Sequence, residues 1–178
     1  MQSAIYMKKL DPIGLFLKGG IRLDKIIADG RIDPLDSLVF VGHKGSEQYI
    51  VKMVPDPTLL EWTAEVMRKV EKLVPMYLWH LDSLRDDPDS DAVMVMEVLL
   101  PVRPDQVFDM LLELIPVCFE FRRIMAHCDI KPDNIMYSGR TGNYHIIDYD
   151  DVCRDPILYG YRRGAATPLF TSQKINGL

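Results

Sequence analysis

No apolar run in this 178-residue sequence is long enough to span a bilayer; residues 92–100 are too few and include Glu97. The first residues, Met1-Gln2-Ser3-Ala4-Ile5-Tyr6-Met7-Lys8-Lys9, hold no apolar core ahead of a cleavage site, so no signal peptide is expected. Surplus positive charge is also missing. The 21 Lys and Arg are outnumbered by 26 Asp and Glu, and the net charge of -5 gives no electrostatic case for nucleic acid or an anionic membrane surface. Cysteine is scarce: Cys118, Cys128 and Cys153 are an odd, widely spaced set without CxxC spacing. They argue against a disulfide framework or a zinc site and for a reducing, cytoplasmic compartment. Internal repeats and low-complexity tracts are absent. What remains is an ordinary globular composition, 48% hydrophobic and 26% charged, with chain enough for one domain or two small lobes.

The chemistry concentrates in His127-Cys128-Asp129-Ile130-Lys131-Pro132-Asp133-Asn134-Ile135-Met136. Pro132 lacks an N–H and restricts the residue before it, so a helix through this stretch is excluded and Asp129, Lys131 and Asn134 fall on a loop. Ile135-Met136 opens a strand, Ser138-Gly139-Arg140-Thr141-Gly142-Asn143 reads as a turn, and Tyr144-His145-Ile146-Ile147-Asp148 reads as a second strand ending in an acid. Phosphoryl transfer needs these residue types. Asp129 can accept the attacking hydroxyl's proton and Lys131 can offset charge on the transferring group. Asn134 and Asp148 can supply oxygen ligands to Mg²⁺, a hard ion held by few protein oxygens plus phosphates.

Around this core the pattern reads strands, helix, strands, helix. Residues 21–28, 38–41 and 49–54 read as strands, with a hairpin turn at His43-Lys44-Gly45-Ser46 and a loop over residues 30–36. A helix is predicted over residues 58–73, with Thr58 as its cap, Glu61 as a capping-box acid, and Leu59, Trp62, Val66, Val70 and Leu73 at helical spacing. Residues 78–84 and 92–100 are expected strands flanking an acidic tip over residues 85–91. Residues 105–126 read as helical, with Val107, Met110, Leu111, Leu114, Val117, Cys118 and Phe121 mostly on one face and a kink or division at Pro116.

The loop, hairpin and acid resemble the catalytic loop and metal-binding segment of eukaryotic-type Ser/Thr protein kinases, and the order of elements is similar to theirs. The resemblance runs over residues 21–172. It implies an α+β, bilobal fold with an N-terminal lobe over residues 1–99 and a truncated C-terminal lobe over residues 100–178. It also implies ATP and Mg²⁺ (or Mn²⁺) as cofactors and a protein substrate. In that alignment Asp129 and Lys131 are catalytic, and Asn134 and Asp148 hold the metal. Lys52 resembles the lysine that contacts the ATP phosphates. Glu65 resembles its helical glutamate partner, with Glu61 as the alternative one turn earlier. Met96 takes the gatekeeper position, and the backbones of Glu97 and Leu99 are placed to hydrogen-bond adenine. Thr167 in Ala166-Thr167-Pro168 matches the threonine that contacts the catalytic loop, and Tyr149 keeps an aromatic ring after the metal-binding acid.

The sequence departs from the kinase pattern in three places. Residues 32–37, where the phosphate-covering loop aligns, contain no glycine and carry Asp33 and Asp36, so weak nucleotide binding is expected. Cys128 replaces the arginine that reads an activating phosphate, and is expected to be a small buried residue. The sequence ends soon after Ser172, where kinases continue into a helical subdomain. The resemblance therefore implies apolar surface on the C-terminal lobe and association with a second copy or a partner protein. Such compaction is associated with virus-encoded kinases, for which the compartment is the host cytoplasm. Two other functions stay open. One is a pseudokinase-like module that engages another kinase. The other is a small-molecule phosphotransferase of the aminoglycoside- or choline-kinase kind, to whose acid-rich metal segment Ile147-Asp148-Tyr149-Asp150-Asp151 is similar.

Overall fold

The structure, a computed structural model, describes residues 13–29, 37–54, 57–85, 92–122 and 127–152. It is a mixed α and β fold of two compact units. One takes in Met1–Ala64 and Tyr77–Val98, the other Glu65–Met76 and Leu99–Leu178. Among the described residues no helix is long and apolar enough to cross a membrane.

The first unit is built on a five-stranded antiparallel sheet. Its strands are β1 (Arg22–Asp29), β2 (Leu38–Lys44), β3 (Glu47–Met53), β4 (Trp79–Ser83) and β5 (Ala92–Glu97), in the order β1-β2-β3-β5-β4. Alternation decides which face is covered: Leu38 and Phe40 on β2 and Val51 and Met53 on β3 point into one core with Leu23, Val93 and Val95. Leu17 and Leu84, bridged to each other, complete it. β2 and β3 run longer than the sequence pattern predicts and leave only Gly45-Ser46 between them, with Gly45 at φ 63° as a tight hairpin demands. At Gly42 a Cβ would lie 2.7 Å from the Arg22 carbonyl, so the β1–β2 approach admits only glycine. β5 stops at Glu97 rather than continuing to residue 100. Val98 and Leu99 break the pairing, and Leu100 restarts as a strand of a different sheet.

Helix α1 spans Pro57–Val70. Proline suits a first helical position because its missing N–H would have no helical acceptor. Thr58 therefore lies inside the first turn and is not the cap the sequence pattern predicts. The buried face is also displaced by one residue. Leu60, Thr63, Ala64, Met67 and Val70 are buried with Val66, while Leu59 and Trp62 are half-buried and Leu73 lies beyond the helix, exposed. Thr63 and Ala64, which an apolar count passes over, belong to this buried face.

In the second unit, β6 (Leu100–Pro101), β7 (Ile135–Tyr137) and β8 (Tyr144–Ile146) form a small antiparallel sheet. Helix α2 (Val107–Arg122) packs Met110 and Leu114 against Tyr144 and Ile146. A 3-10 turn over Pro104–Gln106 leads into it, fixed by the Arg103 guanidinium on Asp105 (2.9 Å) and by the Arg103 N–H donating to Gln106 Oε1 (3.0 Å). The Glu113 carboxylate accepts the Tyr144 N–H at 2.9 Å, tying the helix to the head of β8. Pro116 neither ends nor divides α2; it removes the N–H that the Leu112 carbonyl would receive. The expected single apolar face is not what forms. Val107 and Leu111 are exposed, and so are Phe108, Leu112, Ile115 and Phe119.

Candidate active site

The site grows out of the loop between α2 and β7. Lys131 is extended (φ -149°, ψ 163°), as a residue before proline must be, and Pro132–Asn134 then make a 3-10 turn closed by the Asn134 N–H on the Lys131 carbonyl (2.9 Å). That turn folds Asn134 back over Asp129. Asp129 Oδ2 receives Lys131 Nζ at 2.7 Å and Asn134 Nδ2 at 3.0 Å, and the same Nδ2 donates to the Asp129 carbonyl at 2.9 Å. The Asp129 side chain is only 13% exposed and Asn134 is buried. Two donors on one oxygen fix the plane of the carboxylate. The hydrogen bond with Asp129 raises the Lys131 pKa above its ordinary value. Partial burial works against this, and the charges of Asp129, Asp148 and Asp133 add to it. Lys131 is thus a permanent cation at neutral pH.

Asp148 enters the same cluster from the far end of the hairpin. The Ile147 N–H donates to the Asn134 carbonyl at 2.9 Å, which sets Asp148 beside the loop. Asp148 adopts φ 65° and Cys128 φ 67°, the left-handed region that most side chains avoid, so both shoulders of the site hold strained backbone. Cys128 is half-buried rather than buried. After Asp148 the chain makes a 3-10 turn over Tyr149–Asp151, and the Tyr149 ring is buried, which pushes its hydroxyl well above the usual range. That ring lies 5.2 Å from the buried His127 ring, whose Nε2–H donates to the Ile147 carbonyl at 3.0 Å. His127 and Glu113 are supports that residue-by-residue reading of the sequence misses. Only the position of His127 two residues before Asp129 signals its part.

Asp129, Asp133 and Asp148 set more negative than positive charge around Lys131, which suits a bound cation. Because Asn134 turns its amide nitrogen to Asp129, its Oδ1 is on the opposite side of the amide, available to a hard ion, and Asp148 is the neighbouring carboxylate. Among the described residues no group of three or more His, Cys, Asp or Glu side chains could hold a metal by itself. An ion here would take its remaining ligands from water and phosphate oxygens, the habit of Mg²⁺.

The other residues singled out from the sequence are placed as follows. Lys52, on β3, pairs across to Val39 and Met94 and is half-buried. Met96 pairs with Ile50 and with Trp79. The Glu97 N–H donates to the Leu78 carbonyl (3.0 Å) and its carboxylate accepts the Leu78 N–H (2.7 Å), so that N–H is committed to Leu78. Leu99 lies in the break between β5 and β6. Glu65 is exposed and ion-paired with Lys69 one turn along α1; Glu61 is exposed as well. Residues 32–36 of the expected phosphate-covering loop, residues 86–91 of the acidic tip and Thr167 with its neighbours lie outside the described residues.

The family model of the APH phosphotransferase enzyme family matches residues 53–160, which takes in α1, β4 and β5, the whole three-stranded sheet and the loop–hairpin–acid constellation. The chain belongs to this family. It is a kinase-like phosphotransferase by that membership, and the clustering of Asp129, Lys131, Asn134 and Asp148 falls inside the matched region. No curated protein matches the chain.

Proposed function

We propose that the chain transfers the γ-phosphoryl group of ATP, with Mg²⁺ (or Mn²⁺), to the hydroxyl of a protein serine or threonine. The observation that carries the reading is the convergence of Lys131 Nζ and Asn134 Nδ2 on Asp129 Oδ2, with Lys131 two residues after the acid as in the Ser/Thr-kinase form of this loop. Asp129 accepts a hydrogen bond from the substrate hydroxyl and aims its oxygen in line with the phosphorus. As the new O–P bond forms and the bond to the β,γ-bridging oxygen breaks, the hydroxyl proton passes to Asp129 and ADP departs. A carboxylate already holding two donors is a weak base, so its main contribution is orientation, with proton uptake late. Lys131 offsets charge on the transferring oxygens. Asn134 does two things at once: it holds Asp129 and offers Oδ1 to the ion. Bound Mg²⁺ supplies charge neutralisation of the phosphates. Lys52 grips the α- and β-phosphates, and Met96, Glu97 and Leu99 line the adenine.

A second reading, a small-molecule alcohol or amino-sugar as acceptor, is favoured by the acid-rich run Asp148-Tyr149-Asp150-Asp151 and by the family itself. One experiment separates them. Purified chain is incubated with labelled ATP and Mg²⁺, with generic protein substrates in one arm and aminoglycosides and amino-alcohols in the other, and with Asp148→Ala as the control. Label on protein supports the proposal; label only on small molecules overturns it in favour of the second reading. No transfer in either arm leaves a binding module.

A further inference from the structure

Helix α2 carries its largest apolar side chains outward. Phe108 is 69% exposed, Leu112 59%, Ile115 51% and Phe119 61%, with Leu111 beside them at 49%. On a helix, positions spaced four, three and four apart lie on one face. The spacing has a further property: Phe108, Leu112, Ile115, Phe119 reads the same from either end. An aromatic stands at each end, an aliphatic on each side of the middle, and the centre falls between Glu113 and Leu114. A face with that order is complementary to itself when turned end for end, the condition for an isologous two-fold contact.

We propose that this face of α2 is the interface of a homodimer, with the two helices packed antiparallel about a two-fold axis near the middle of the stripe. Phe108 of one copy then meets Phe119 of the other, and Leu112 meets Ile115. The reversal also sets the opposed helix dipoles side by side. A large side chain covers on the order of 200 Å², so five of them, each near or above half exposure, offer roughly 500 Å² per copy. That is the larger part of the ~800 Å² per partner in a standard interface, and Val107 with the polar rim supplies the remainder. A second copy satisfies the spacing and the area together.

The test uses the full chain in light scattering and sedimentation at micromolar concentration. The expected mass is twice the 20.4 kDa of one chain. Leu112→Lys and Ile115→Glu change exposed positions, and an unchanged circular dichroism spectrum shows that each variant folds. Each variant should self-associate at least about tenfold more weakly, because it buries an unpaired charge. Mixing the two variants should restore the dimer, because position 112 of one copy faces position 115 of the other. Three results would overturn the proposal. The first is a wild-type monomer, including one whose α2 is protected from hydrogen exchange because residues beyond 152 cover it. The second is a dimer indifferent to both substitutions, and the third is a pair of variants that fail to re-associate when mixed.

Discussion

In the five-stranded sheet Leu17, Leu23, Phe40, Val51 and Val95 have no measurable exposure, whereas in the second unit α2 buries Met110 and Leu114, packs Val117 and Cys118 against them half-buried, and leaves Phe108 and Leu112 in solvent. Polar residues are distributed the other way. Of the buried polar side chains among the described residues, His127, Asn134, Ser138 and His145 belong to the second unit, and Thr63 alone to the first. The first unit is ordered by apolar contact, which is insensitive to direction. The second is ordered by hydrogen bonds: the Ser138 and Thr141 hydroxyls take the N–H groups of the β7–β8 turn, Glu113 takes the Tyr144 N–H, and Asn134 takes two acceptors on Asp129. Hydrogen bonds specify angles as well as distances. A phosphotransferase site, which depends on fixed directions, belongs on the second kind of scaffold.

This contrast is broken most severely at Asp129. Asp129→Ala should lower turnover by about 10³-fold or more, as removal of an orienting acceptor and base does, while thermal unfolding shifts little. Asp148→Ala should do the same and also weaken the dependence on Mg²⁺. Near-normal transfer by either variant, in a single-turnover assay, would remove the assigned role.

Phe40→Ala tests the apolar scaffold. A fully buried phenylalanine truncated in a packed core costs about 3–5 kcal/mol, so a large drop in the urea midpoint is expected. Met110→Ala, in the smaller core of the second unit, should cost about 2 kcal/mol at the lower end of its class. Equal losses would show that the two cores are not as different as their burial implies.

Glu113→Ala leaves the Tyr144 N–H without its acceptor and should cost about 1–2 kcal/mol. Activity should fall with it if β8 carries Asp148 into place, which a stability measurement paired with kinetics would reveal.

The smallest effect concerns pH. The folded-state pKa of Lys131 is raised, chiefly by its bond to Asp129. Its contribution to stability is therefore complete below the ordinary lysine value of 10.5 and is lost as pH climbs through the higher folded value. Wild-type protein should lose slightly more stability than Lys131→Met over that alkaline range; parallel curves would show that the pair contributes nothing.

Much of the loop's geometry was legible because it rests on short-range rules. Pro132 forces Lys131 to extend, and the offsets to Asp129 and Asn134 then place three functional groups on one turn. Strand positions followed from alternation, as at Leu38 and Phe40. The failures came where packing decides. The face of α1 could begin at Leu59 or Leu60, and the buried face takes the second, with Thr63 and Ala64 in it. α2 has apolar residues on most of its circumference, so periodicity could not say which of them the three-stranded sheet would cover. Nor could it foresee that Glu113, an acid on that helix, would be turned to a backbone amide.

The bond from the Ile147 amide to the Asn134 carbonyl makes one proton a reporter on two chain segments. Its chemical shift depends on the distance to an oxygen that moves with the loop, while its own nitrogen moves with the segment leading to Asp148. In a titration with Mg²⁺ and a non-hydrolysable nucleotide, that resonance should shift early, and its slow exchange with solvent deuterium would time how often the loop and the acid part company.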